Sequence, residues 1–172
     1  IKGIGNYSGD TTVKYTVNAQ QSYKATAAAK TYNAKNQTTK VTVKYGNTVL
    51  KRGTDYKITG VTKAKNAGKY KITVKGINNY KGTKTIYYTI NKAAQKSVKV
   101  KVNASKKKIT VSGVKAKAKV TYKSANKKVK VKHGKITVGK GVKKGTKVRI
   151  TVKVAATKNY KAYSKSIIYK VK

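Results

Sequence analysis

The chain has 172 residues and sets 44 Lys and Arg against two acids, Asp10 and Asp55, for a formal charge of +42. One His and no Cys exclude ordinary zinc sites and disulfide frameworks, and a single pair of carboxylates leaves acid–base catalysis little material. The length allows one or two small domains.

The first phrase, "IKGIGNYSGDTTVKYTVN" (1–18), returns as "VKGINNYKGTKTIYYTIN" (74–91) at an offset of 73 residues, pairing Gly3 with Gly76, Tyr7 with Tyr80, Gly9 with Gly82 and Tyr15 with Tyr88. A weaker third echo closes the chain, where Asn159-Tyr160 precedes Ile167, Tyr169 and Val171. Each echo ends in a new segment or at the chain end, so the Asn-Tyr loop with its following strand reads as the closing hairpin of a module. The expected organisation is a closing hairpin of a truncated module over 1–18, one complete module over 19–91 and a second over 92–172. A lone hairpin is marginal in water, so residues 1–18 are expected to be frayed, docked on the next module or completed by another chain.

Within the first complete module, "AQQSYKATAAAK" (19–30) reads as linker and first strand. Val41, Val43 and Tyr45 then alternate with polar residues, as do Tyr70, Ile72 and Val74, and Ile86, Tyr88 and Ile90. Turn signals lie between them at Gly46-Asn47, Gly53-Thr54-Asp55 and Asn66-Ala67-Gly68. The second module repeats the pattern with Val98, Val100 and Val102, with Val120 and Tyr122, and with Val148, Ile150, Val152 and Val154. Its turns fall at His133-Gly134 and across Gly139–Gly145. A cationic chain of low complexity can be disordered, but period-2 alternation in Val, Ile, Thr and Tyr is the signature of half-buried strands. The fold class expected is all-β, as two tandem β-sandwich modules. Tyr15, Tyr70, Tyr88, Tyr122 and Tyr169 share the phase of the Val/Ile face and are expected in the core, whereas Tyr87 and Tyr163 are expected outward.

The middle module carries "TYN…Q" from Thr31, "LKRGTDY" from Leu50, "NAGKYKITVKG" from Asn66 and "NYKGT" from Asn79, in that order. In this it resembles the Ig-like repeats found in tandem in surface proteins of Gram-positive bacteria, departing by the absence of the Pro usual near "QTTK". The last module is similar to the second bacterial Ig-like group through Tyr122–Asn126, Val129 and Val131, the Gly134 hairpin, Gly145-Thr146 and "ITVKV". The resemblance implies an Ig-like fold, an extracellular, cell-surface or cell-wall location, and stalk, adhesion or wall-associated roles. It implies no catalytic residue and no cofactor.

Asp55 is the acid that a Lys–Asn crosslink, known in surface Ig-like modules, would need, but "GTDY" reads more simply as a turn whose carboxylate accepts backbone N–H groups. Ser124–Lys127 fits a Ser-x-x-Lys pattern, yet in an interstrand loop rather than on a helix in a cleft. His133 reads as a turn residue, and the sequons at Asn6, Asn36 and Asn103 are short enough to arise by chance. No run of about 18 apolar residues predicts a membrane span.

What remains is the cationic surface. Lysines opposite the apolar phase guard strand edges against aggregation, and their excess predicts attraction to anionic polymers such as teichoic acid, glycans or DNA. The residues expected to carry it are Lys99, Lys101, Lys106, Lys107, Lys108, Lys128, Lys130, Lys132, Lys147, Arg149 and Lys153. Binding by Lys point charges is broad and salt-dependent. The function expected is therefore a non-catalytic extracellular repeat or stalk region that adheres to anionic polymers, with a host or cell-surface ligand and neighbouring modules of the same chain as further partners. The alternatives are a nucleic-acid-coating protein and the wall-binding tail of an upstream hydrolase.

Overall fold

A computed structural model describes residues 4–6, 8–13 and 23–172. Half of the hairpin expected over 1–18, including Tyr15, lies outside the described residues. Within it, Gly5 and Gly9 take positive φ of 74° and 107°.

The described residues form strands and no helix. In chain order the strands are β1 (Lys24–Ala27), β2 (Lys30–Thr31), β3 (Gln37–Thr38), β4 (Val41–Tyr45), β5 (Thr48–Val49) and β6 (Tyr56–Gly60). There follow β7 (Lys63–Ala64), β8 (Gly68–Gly76), β9 (Thr83–Asn91), β10 (Lys99–Asn103) and β11 (Lys108–Ser112). The chain ends with β12 (Val120–Ser124), β13 (Val129–Lys132), β14 (Lys135–Val138), β15 (Lys147–Val154) and β16 (Tyr163–Lys170). They pair as β1-β4-β5, β2-β9-β8-β6, β3-β7, β10-β11-β14-β13 and β12-β15-β16. The chain is all-β, as its alternation predicts.

Two compact units emerge. One takes in the described part of Ile1–Ala28 with Thr39–Thr62 and Tyr70–Tyr88; the other holds Ala29–Thr38, Lys63–Lys69 and Thr89–Lys172.

In the first unit, Val43 on β4 and Ile72 and Val74 on β8 are fully buried, as is Tyr88 on β9. Tyr23 precedes β1 and is 1% exposed, which strands a phenol in the interior unless it finds partners. It finds three: its hydroxyl hydrogen lies between Val74 O at 3.0 Å and Gly82 O at 2.8 Å, and its oxygen accepts from Gly76 N–H at 3.2 Å. Burial pushes the Tyr23 phenol above its ordinary pKa, partly offset by the hydrogen bond from Gly76. Tyr70 stacks obliquely on Tyr88 with ring centroids 5.9 Å apart.

The second unit is a β-sandwich. Val98, Val100, Ile109, Val129 and Ile136, on or beside strands of the β10-β11-β14-β13 sheet, share one core with Val148, Ile150, Val152, Val154, Tyr169 and Val171, on or beside β15 and β16. Strand β15 shows how the sequence dictates this. Val148, Ile150, Val152 and Val154 are 3% exposed or less, while Lys147, Arg149 and Lys153 are exposed between them. Each such apolar side chain contributes about 1.5–3 kcal/mol on burial, which a one-residue register slip would forfeit along the whole strand.

Both Asn-Tyr loops of the described chain join the last two long strands of their repeat, Asn79-Tyr80 between β8 and β9 and Asn159-Tyr160 between β15 and β16. The second loop also ties down segments of the middle repeat. Asn159 accepts from Ala67 N–H at 2.8 Å and donates from Nδ2 to Asn66 Oδ1 at 3.0 Å, and Tyr160 meets Tyr32 edge-on at 5.4 Å. These contacts lie within the second unit, which is why that unit takes in Ala29–Thr38 and Lys63–Lys69.

Candidate anion-binding surface

All eleven cationic residues singled out from the sequence are exposed. The sandwich divides them among three places. Lys99, Lys101, Lys108, Lys130 and Lys132 stand on the outer side of the β10-β11-β14-β13 sheet. Lys147, Arg149 and Lys153 stand on the outer side of β12-β15-β16, and Lys106, Lys107 and Lys128 lie in loops. No single face gathers them all.

Strand pairing adds what alternation alone could not. Lys132 and Lys135 face each other across the His133-Gly134 turn, and Lys135 also faces Lys108 on β11. Asn103 continues the row opposite Lys108, so three lysines and an asparagine stand in line across four strands. The bonds flanking Lys108 and Lys135 run from Ile109 N–H to Gly134 O at 2.7 Å and from Ile136 N–H to Lys107 O at 2.8 Å. They make this a non-hydrogen-bonded pair, the kind with the closest side chains, at about 4.5 Å between Cα atoms. Other direct Lys–Lys pairs are Lys147 with Lys170, and in the first unit Lys24 with Lys44 and Lys57 with Lys75.

Like charges directly opposite are destabilising, by about 0.6 kcal/mol for two free charges ~7 Å apart in water. A protein ordinarily relieves this with acids. Both acids of this chain fall in the first unit, so the second carries its cations with no carboxylate side chain at all.

Grooves lie beside several of these cations. One of about 280 Å³ is framed by Lys24, Thr26, Thr42 and Lys44, two cross-strand pairs on β1 and β4. Another of about 320 Å³ is bounded by Lys106, Lys107, Lys108, His133 and Lys135. A third, of about 430 Å³, has Lys119 and Lys153 beside Tyr163 and Ser164. Lysines, hydroxyls and an aromatic rim suit anions bound through charge-assisted hydrogen bonds.

The remaining candidates resolve individually. Asp55 Oδ2 accepts from Lys51 N–H at 2.7 Å, the turn role expected of it. Ser124 Oγ donates to Asn126 O at 3.0 Å and accepts from Asn126 N–H at 3.2 Å, closing the loop between β12 and β13. His133 and Gly134 have φ of 49° and 82°, the two left-handed residues of a type I′ hairpin. Tyr87 is 47% exposed, as expected. Tyr163 departs from expectation: it pairs with Val154 on β15, which puts it on the inward side, half-buried against the core. Tyr88 and Tyr169 are fully buried, whereas Tyr70 and Tyr122 are half-buried. Burial pushes the Tyr122 phenol above its ordinary range.

Comparison with family models, with curated proteins and with solved structures finds no match for this chain.

Proposed function

We propose that this chain is a non-catalytic, repeat-built region of a bacterial surface or wall-associated protein, of Ig-like kind, whose lysine-lined sheet faces adhere to anionic polymers. The observation that carries this reading is the set of direct cross-strand Lys–Lys pairs in a unit that holds no carboxylate side chain to relieve them. A polyanion supplies the missing charge from outside, and each opposed pair offers it two donors on one surface. The polymers that fit are teichoic acids, acidic glycans and extracellular DNA. The family resemblance of the repeats supports the extracellular setting, and Asn159 with Tyr160 supports a role for the Asn-Tyr loops in joining successive repeats.

The chain is scarce in Arg, with Arg52 and Arg149 alone, so it lacks the bidentate donors that read base edges. The test is titration of poly(glycerol phosphate), single-stranded DNA and heparin, matched in charge, against the whole chain at physiological ionic strength. The expected result is binding to all three within about tenfold of one another. Failure to bind any of them, or a preference for DNA beyond that margin, would overturn the reading.

A further inference from the structure

The lysine row that carries the adhesion reading lies at one end of its sheet, where two turns meet. Lys106 and Lys107 in the β10–β11 turn and His133 in the β13–β14 turn close around the end of the Lys132–Lys135–Lys108 row, bounding the groove of about 320 Å³. Five lysines and the only histidine of the chain thus meet at one end of one sheet.

The place is built, not frayed. The two turns are bonded to each other through Ile109 N–H to Gly134 O and Ile136 N–H to Lys107 O. Asn103 Oδ1 accepts from Lys106 N–H at 2.9 Å and fixes the first turn. Lys107 and His133 are both held at φ near 50°, a region that L-residues adopt sparingly. Gly134 is required, because a Cβ there would meet Ile109 O at 2.4 Å. The fixed backbone sets where each lysine stem starts, while ordering the flexible stems on an anion is a cost that the bound charge must exceed.

We propose that this turn cluster is a binding site for an oligophosphate chain, phosphates joined through shared oxygens. The proposal deepens the adhesion reading above and rests on it. Charge per volume selects the ligand class. A sulfated or carboxylated glycan spreads its charges around the edges of bulky sugar rings, and a phosphodiester chain brings one charge per nucleotide or glycerol. An oligophosphate sets several charges side by side, as the lysines are, about 4.8 Å from strand to strand. Its unbridged oxygens accept from several ammonium groups at once. Inorganic polyphosphate and the triphosphate end of a nucleotide share this chemistry.

The test uses the whole chain at 150 mM salt with inorganic tripolyphosphate, ATP without magnesium, sulfate and a heparin oligosaccharide as probes. Three proteins are compared: wild type, Lys108→Gln/Lys132→Gln/Lys135→Gln, and the charge-matched Lys140→Gln/Lys144→Gln/Lys158→Gln. The expected result is that the first variant weakens tripolyphosphate binding by about tenfold or more while the second changes it less than about threefold. A variant with Arg at positions 108, 132 and 135 should restore binding, and circular dichroism should show all forms folded. ATP binding no tighter than tripolyphosphate identifies the phosphate chain alone as the ligand; tighter binding identifies the nucleotide. Equal losses in both Gln variants, or heparin binding to the cluster as tightly per charge, would overturn the site while leaving general adhesion standing. Absence of binding by wild type to every probe would overturn both.

Discussion

Tyr23 and Tyr169 occupy the same kind of position in the two units, fully enclosed in the apolar interior, and are treated differently there. Tyr23 has three backbone partners for its hydroxyl, whereas the Tyr169 hydroxyl is buried with none. The same contrast runs through the charges. The first unit holds both carboxylates, and one of them closes a turn; the second holds none and sets lysine against lysine. A chain without Phe fills its cores with Tyr and must then place each hydroxyl. The first unit solves that locally. The second leaves its buried phenol without a partner and its surface cations without carboxylate side chains, and those cations are where the proposed polyanion would act.

The comparison can be tested first through packing, which should not distinguish the units. Ile72→Ala and Ile150→Ala each remove a fully buried side chain and should each cost about 2–5 kcal/mol in denaturant unfolding. A cost under about 1 kcal/mol at either position would mean that its core is not packed as described.

The tyrosines should distinguish the units. Tyr23→Phe leaves Gly76 N–H and two carbonyls without their hydroxyl partner and should destabilise by about 1–3 kcal/mol. Tyr169→Phe removes an unbonded buried hydroxyl and should be neutral or stabilising by up to about 1 kcal/mol. Equal losses in the two variants would erase the contrast.

Alkaline titration sharpens it further. Tyr23, Tyr88 and Tyr122 all have phenols raised above 10.0 by burial, Tyr88 further by its neighbour Tyr70. A raised folded-state value means that the stability linked to these groups is full below pH 10 and is lost as pH climbs through the raised values. Ultraviolet titration of tyrosinate should show these residues ionising after the exposed ones, together with loss of structure. Ionisation of all tyrosines together near pH 10 with structure intact would contradict it.

The smallest expected effect is at a single surface lysine. Lys135→Gln relieves two like-charge pairs at once and should stabilise by a few tenths of a kcal/mol at low salt and by nothing measurable at high salt. Destabilisation at low salt would mean that its stem packing outweighs its charge.

How much of this was legible in the sequence follows from which interactions are local. Strand alternation is local, so β4, β8, β9, β10 and β15 and the buried side of each could be read directly. The turn at His133-Gly134 was visible too, because Gly tolerates the left-handed backbone that a tight hairpin needs. The meeting of Lys135 with Lys108 was not, since it depends on β11 and β14 becoming neighbours across 27 residues of chain. Tyr163 misled for the same reason: its side is set by register with Val154, not by its own neighbours in sequence. Tyr23 sits beyond the end of its strand, where alternation has no phase to offer, and its three distant partners went unseen.

The central claim is that external anions, held by lysine donors in the second unit, supply the charge that unit lacks. The salt dependence of poly(glycerol phosphate) binding to the whole chain tests it most directly. Five cations contacting a flexible single chain predict a slope near −3.5 in log K against log salt, a loss on the order of 100-fold between 50 and 200 mM. A binding constant that stays level across that range would contradict it.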